Sequence, residues 1–361
     1  MANQLPLHAV HERLGARFGE ADGHLVPLHY GAVAAEHAAV RERAGVIDRS
    51  YRGKVEATGR DRASFLQGML SNDIKALSPG QGCGAAFLDA HGKIVSLLAV
   101  HCLDDRLVLE MDRRLVAPTL AALDRYLISE RVELEDVSPR EALLTVAGPA
   151  ARATVEKMAG AAIPELAPYH HTRVSVAGLD VRVVSGGETG EEEYDLWAAA
   201  DGAGRLWERA IGEGAQPVGR EAWNVLRVES GVVWHGVDVD ATTLLIEAPL
   251  ERTYSLTKGC YIGQEVVARI TYRGHVNRQI VGFLCPDARA ATPGDRVLVD
   301  GKEVGRVTSA VASPTLGRGI ALGVIRREHR EPGTAVQLIG EGGTLPAQVA
   351  ALPFYRRSRE A

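Results

Sequence analysis

The spacing of apolar positions divides this chain into stretches of different period. Residues 1–50 read as helix and loop: 36–44 is rich in helix formers, and Gly45 follows as a stop. From Lys54 the period shortens. Residues 55–58 predict a short strand, and Asp61 then caps a helix that sets Phe65, Leu66, Met69 and Leu70 on one face. Strands at 85–88 and 94–101 flank a turn at 89–93, where Gly92 accepts a positive φ. A strand at 107–110 follows, then a helix carrying Leu115, Leu120, Leu123 and Leu127, then renewed alternation at 132–137. This β-α-β…β-α-β order predicts a ferredoxin-like layer of helices on an antiparallel sheet.

A helix is predicted from Pro149 to Met158, with proline at its first turn. Strands at 173–176, 181–185 and 194–199 come next, and then helices at 202–211 and 220–229, the second ended by Gly231. Beyond about residue 278 the helical period vanishes. Short strands at 280–284, 296–299, 304–310, 320–324, 335–338 and 347–352, separated by Gly/Pro turns, predict a small barrel. Residues 273–278 are the expected link.

At roughly 100–200 residues per domain, 361 residues predict two or three domains. With 46% hydrophobic and 24% charged residues and a net charge of −5, the chain is globular rather than disordered. That mild acidity gives no overall footprint for nucleic acid or an anionic membrane. The start has no cationic segment followed by an apolar run, and no stretch of about 18 apolar residues occurs, so neither a secretory signal nor a spanning helix is expected. Cys83, Cys102, Cys260 and Cys285 are too scattered for a disulfide framework or a zinc site. A cytoplasmic location is expected.

The most unusual segment is Lys258-Gly-Cys-Tyr-Ile-Gly-Gln-Glu265. Two glycines bracket a cysteine, so the backbone can bend and expose the thiol. Lys258 is placed to favour a Cys260 thiolate, and Gln264 and Glu265 add polar groups beside it. The alternative is a buried small residue in a Gly-rich turn, since free cysteine is often buried. Local chemistry leaves both readings open.

This octapeptide resembles the K-G-C-[FY]-x-G-Q-E signature of YgfZ-type proteins, a branch of the glycine-cleavage T-protein superfamily. Other stretches resemble superfamily elements in the same order. Glu36-His37-Ala38-Ala39-Val40-Arg41 through Ala44-Gly45-Val46-Ile47-Asp48 is similar to "EHxAVR…AGVxD", and Phe65-Leu66 with Ser71-Asn72-Asp73 to "FLq…sND". Thr189-Gly190-Glu191 with Tyr194-Asp195 resembles "TGExGxE". Residues 222–231 with Gly236-Val237-Asp238 resemble "aWnvLRiEaG…G.D", and 307–323 resembles the family's barrel. The resemblance implies an α+β, three-domain T-protein-like architecture. A ferredoxin-like α/β layer is expected at 51–147, a discontinuous folate-binding domain at 1–50 plus 148–275, and a C-terminal β-barrel at 279–361. It also implies a tetrahydrofolate ligand in a central opening.

A pterin edge presents an amide and an amine that a carboxylate accepts in bidentate fashion. Carried over from the family, Glu191 is expected on that edge, Arg227 on pterin or tail polar atoms, and Asp195 as a weaker third contact, with Gln264 and Glu265 of the octapeptide also expected at the cofactor. Against this, Glu191 lies in an acidic run typical of solvated turns, and Arg227 can pair with a carboxylate on its own helix. The chain departs from the transferases of the superfamily at "GGVxDDLxVY", where Val95 and Ser96 replace both acidic residues. Neither side chain can act as acid or base at neutral pH, which argues against glycine-cleavage aminomethyl transfer. Asp89-Ala90-His91-Gly92-Lys93 instead resembles the "DxxGK" turn of the YgfZ-type branch, with His91 and Lys93 facing either the folate or solvent.

No phosphate-binding loop, dinucleotide fingerprint or nucleophile elbow is present, and the histidine pairs lack metal-ligand partners. The leading expectation is a tetrahydrofolate-binding accessory protein for iron–sulfur cluster assembly or repair, with iron–sulfur client or assembly proteins as partners and Cys260 and Lys258 as its working groups. The alternative is a folate-dependent one-carbon transferase or demethylase. A folate-free scaffold is the third reading.

Overall fold

The computed structural model describes residues 2–357. Strands Gly82–Leu88, Ile94–Cys102, Leu107–Met111, Gly53–Thr58 and Glu133–Asp136 lie side by side in that order in one antiparallel sheet. Helices Arg62–Met69 and Arg113–Asp124 cover one face, burying Phe65, Leu66, Val116 and Leu123 against Val55, Leu98, Leu107 and Leu109. The predicted layer of helices on an antiparallel sheet is therefore present, with one strand more than a ferredoxin-like unit. The second helix opens on Asp112, whose carboxylate accepts the Arg114 N–H at 2.9 Å and satisfies one orphan donor of the first turn. Alternation leaves Val108 and Glu110 on the opposite face, toward the rest of the molecule.

A second sheet runs in the order His171–Val176, Leu179–Ser185, Glu193–Ala199, Glu141–Ala147, Gly45–Asp48, Gln216–Pro217. Strand Gly45–Asp48 comes from the start of the chain yet pairs antiparallel with Glu141–Ala147, so this sheet draws on both sides of the first one. Helices Ala151–Ala159 and Ala203–Gly212 bury Val155, Met158, Leu206 and Trp207 on it. The expectation that residues 1–50 hold only helix and loop is corrected here. Beside Gly45–Asp48, a small sheet forms from Asn3–Gln4, His24–His29 and Arg17–Ala21. These outer strands are half-exposed, so they carry little of the alternation that betrays a strand.

The last body is a closed six-stranded barrel in the cyclic order Arg278–Leu284, Arg318–Arg326, Lys302–Ser313, Arg296–Val299, Ala335–Gly340, Gly343–Ala350. Phe283, Val297, Ile325 and Leu338 fill it. Closure leaves no free strand edge. Helix Arg220–Glu229 lies where the bodies meet. Val228 packs among Leu88 and Ile94 of the first sheet and Ile280, Ile320 and Leu322 of the barrel.

One residue past Val228, Glu229 is fully enclosed and receives His37 at 3.0 Å, Arg41 at 2.5 Å, Ser313 at 2.5 Å and Thr315 at 3.0 Å. Burial opposes its ionisation, but the bonds from His37, Ser313 and Arg41 outweigh that and hold the carboxyl down at about 2. Its stabilising contribution is thus complete above the ordinary 4.5 and lost as pH falls toward about 2. We predict that Glu229→Gln costs about 3–5 kcal/mol at neutral pH, as for any broken buried pair. Thermal melts from pH 7 to 3 should show a flatter acid limb for the variant than for the parent.

Candidate functional site

The face of the first sheet bearing Glu110 looks toward the strand Glu193–Ala199, and between them several charged side chains converge. Glu188 stands on the tight turn 186–191 that precedes this strand. Its Oε1 accepts from Arg49 Nη2 at 2.5 Å, and its Oε2 accepts the indole N–H of Trp223 at 3.1 Å and of Trp234 at 3.3 Å. Burial works against ionisation of Glu188, but Arg49, Arg52 and the two indoles hold its carboxyl at about 2. Asp195 lies alongside. Its Oδ1 accepts the Thr145 hydroxyl at 2.5 Å and faces Arg49 at 3.5 Å. Burial, with Glu110 and Glu188 close by, pushes the Asp195 carboxyl up to about 6 despite Arg49 and Thr145. Glu110 is bonded by Arg52 through Oε1. Burial, with the charges of Glu110 and Glu188 adding to it, pushes the Tyr169 phenol up to about 12.

Two further residues hold this cluster in shape. Fully enclosed Glu193 accepts the N–H groups of Gly187, Glu188 and Thr189 at 3.2, 3.0 and 3.1 Å, fixing the turn that carries Glu188. Arg227 is only 1% exposed and donates to Asp238 at 2.5 Å, Ser309 at 2.6 Å, Asn224 at 2.9 Å and the Val232 carbonyl at 3.0 Å. Its guanidinium lies 4.4 Å from the Trp234 ring centre, with Arg220 4.7 Å from the same centre. Arg227 therefore backs an indole of the cluster, and each of its three side-chain nitrogens donates to a protein group.

Glu191 is placed elsewhere. It points away from the cluster, and both its oxygens are engaged: Oε1 by Arg41 at 3.0 Å and Tyr355 at 2.7 Å, Oε2 by Arg357. The solvated turn is not found either, since Glu191 is 8% exposed. Of the expected folate contacts, Asp195 alone lies in the cluster.

The octapeptide lies apart, at the tip of the hairpin 89–93. Gly263 has φ +81°, and a Cβ there would come within 2.6 Å of the Asp89 carbonyl, so the signature's second glycine permits close docking. Tyr261 and Ile262 bury beside it, Gln264 and Glu265 open helix Gln264–Arg273, and Cys260 is left exposed. The expected pairing of Lys258 with that thiol is corrected. The Lys258 ammonium donates to the carbonyls of Gln67 and Leu70, at the C-terminal end of helix Arg62–Met69, where a cation is favoured. Burial there lowers it to about 8. His91 is exposed at the hairpin tip. Ser96 is fully buried with its hydroxyl 3.7 Å from the Met111 sulfur. Among the described residues no grouping of His, Cys, Asp and Glu could hold a metal ion, and no helix is long and apolar enough to cross a membrane.

With this geometry in hand, similarity to known proteins becomes informative. The model of the GCVT N-terminal domain matches residues 7–258, and that of the glycine cleavage T-protein C-terminal barrel domain matches 278–356. The chain belongs to the glycine cleavage T-protein family. An aminomethyltransferase of Saccharopolyspora erythraea is 33% identical over 98% of each chain, and one of Rubrobacter xylanophilus 34% identical over 98% of this chain and 94% of that one. The crystal structure of glycine cleavage system aminomethyltransferase T from Bartonella henselae superposes with a TM-score of 0.91 at 26% identity, covering 98% of both chains. The T-protein resemblance of the sequence is thereby established at the level of the family, while these relatives carry the name of the transferase rather than of the YgfZ-type branch.

Sequence reasoning missed Glu188, Arg49, Glu110, Trp223 and Trp234 as site residues. Two signals were available. Glu110 is a lone charge inside the otherwise apolar, fully buried strand Leu107–Met111, and buried carboxylates need a reason. Arg49 and Glu188 each directly adjoin a T-protein element, after Asp48 and before Thr189.

For the octapeptide we predict that Lys258→Met lowers stability by roughly 1–3 kcal/mol through two unpaired carbonyls. Reaction of Cys260 with a disulfide reagent should stay within about twofold of the parent, since the ammonium is turned away. A large drop in thiol reactivity would restore the Lys258–Cys260 pairing.

Proposed function

We propose that this chain binds tetrahydrofolate at the Glu188–Asp195–Glu110 cluster and acts there as a folate-dependent one-carbon transferase of aminomethyltransferase type. The observation that carries the reading is the convergence of those three carboxylates with Arg49, Arg52 and two indoles between the sheets, in a chain matched over its whole length by aminomethyltransferases. The donor set fits a pterin. Oδ2 of Asp195 has no partner among the described residues and lies free to accept from its amide edge. Thus Asp195, rather than Glu191, is proposed for the role of pterin acceptor. Bound folate supplies the amine that carries a one-carbon unit. The chain supplies orientation through Asp195, and bulk and hydrogen-bonded rigidity through Trp223 and Trp234.

Glu110 does not refill the vacated acidic place. It pairs across from Ala99, four residues along from Val95, or about 13 Å at ~3.3 Å per residue. The substrate therefore differs from one that needs an acid at 95 or 96. All four cysteines are unpaired, which suits the proposed cytoplasmic location.

A second reading is favoured by one feature. Cys260 stands exposed on a segment docked at Gly263, as an accessory role toward iron–sulfur client or assembly proteins requires. On that reading Cys260→Ala abolishes support of an iron–sulfur enzyme in cells while folate affinity is unchanged.

Anaerobic titration with tetrahydrofolate tests the main reading. Affinity should rise as pH climbs through about 6, because ionised Asp195 offers Oδ2 as a charged acceptor. Asp195→Asn should weaken binding about tenfold or more and flatten that profile. Absence of saturation at millimolar ligand refutes the site. Turnover of an aminomethyl or methyl donor separates transferase from accessory protein.

A further inference from the structure

The turn that carries Glu188 is gripped from two sides. From within, Glu193 holds three of its N–H groups. From outside, residues 353–357 cross back from the barrel and lie against it. The Tyr355 N–H donates to the Glu229 carbonyl at 2.8 Å, and the Arg357 N–H to the Gly190 carbonyl at 3.2 Å. The Tyr355 hydroxyl donates to Glu191 Oε1 at 2.7 Å, while the Arg357 guanidinium takes Oε2 and also donates to the Arg41 carbonyl at 2.6 Å. Arg41 closes the circuit. It donates to the Thr189 carbonyl at 2.8 Å and stacks its guanidinium 4.0 Å from the Tyr355 ring centre. Gly190 has φ +79°, and a Cβ added there would lie 3.2 Å from the Tyr355 carbonyl oxygen, so the tail is seated against bare backbone.

Glu191 and Glu188 thus occupy one tight turn, three residues apart, one carboxylate facing the tail and the other facing the cluster. We infer that residues 353–357 form a strap that positions Glu188, with Tyr355, Arg357 and Glu191 as positioning residues acting through the turn. Trp223 and Trp234 both donate to Glu188, so a shift of the turn changes the surroundings of two of the chain's four tryptophans. An ordinary packing contact would add stability without touching those indoles. The strap also bears on ligand affinity, and in that respect alone the inference rests on the folate reading.

The test compares the full-length parent, Tyr355→Phe/Arg357→Ala, Arg357→Lys and Glu188→Gln by tryptophan emission without ligand and by tetrahydrofolate titration. The double variant should melt cooperatively, shift its emission in the same direction as Glu188→Gln, and bind tetrahydrofolate about tenfold more weakly. Arg357→Lys, which retains a cation beside Glu191, should recover a good part of both changes. Should the double variant fail to fold, Tyr355→Phe alone removes one hydroxyl and is read in the same way. Emission unchanged in the strap variants overturns the proposal, whatever the titration shows. An emission shift in a protein that binds no tetrahydrofolate at all leaves the strap standing and refutes the folate reading instead.

Discussion

The molecule hangs on the buried contact between Arg41 and the carboxylate of Glu229. Arg41 comes from helix Val33–Glu42, Glu229 closes helix Arg220–Glu229, and the hydroxyls that complete the contact, Ser313 and Thr315, come from the barrel. Taking these charges out of water is costly, and the contact holds only because every oxygen of Glu229 has a donor. Such a network adds little net stability over a packed apolar core. What it fixes is relative placement, because a few tenths of an ångström of slip would leave a buried charge unpaired. The two helices and the barrel are thereby held in one arrangement, beside the apolar cluster around Val228 that joins them to the first sheet.

That arrangement decides what the cluster at Glu188 is. Arg49 follows strand Gly45–Asp48, Glu110 stands on the first sheet, Asp195 on the second, and the two indoles come from and just after helix Arg220–Glu229. None of these elements alone makes a site. Packed together, they place Arg49 between Glu188 and Asp195 so that one carboxyl is held low and its neighbour is pushed up, although they share the same cation. Divergent environments for neighbouring carboxyls are a mark of working sites, since one group stays charged while the other titrates near neutrality.

The T-protein elements themselves turn out to be largely clamps. In the stretch resembling "EHxAVR", Glu36 accepts the Tyr30 and Gly219 N–H groups at 2.7 Å each, while His37 and Arg41 grip Glu229. Of the pair resembling "LRxE", Arg227 backs Trp234 and Glu229 ties the bodies together. Glu191 belongs to the tail. Three residues that face the cluster stand close to these clamps in sequence, Glu188 three and Asp195 four positions from Glu191 and Trp223 four from Arg227, as is natural when a short segment must be both anchored and presented.

The alternation of apolar positions determined the first helix-on-sheet layer and the terminal barrel, because strands such as Leu107–Met111 and Arg318–Arg326 must bury apolar residues wherever they pack. Motif spacing determined the family, and the loss of acid at Val95 and Ser96 was plain from the residues alone. The strands of the first 30 residues were not legible, since their burial does not alternate, adjacent Val26 and Pro27 being the buried pair of His24–His29. Nor was the direction in which a carboxylate points. Glu188, Glu191 and Glu193 are three like residues on one short segment, and the chain gives each the same local chemistry. Only the packed structure turns one to the cluster, one to the tail and one inward: Arg49 draws Glu188, and Arg41 and Arg357 draw Glu191, each from more than a hundred residues away, while Glu193 is held by the N–H groups of its own turn.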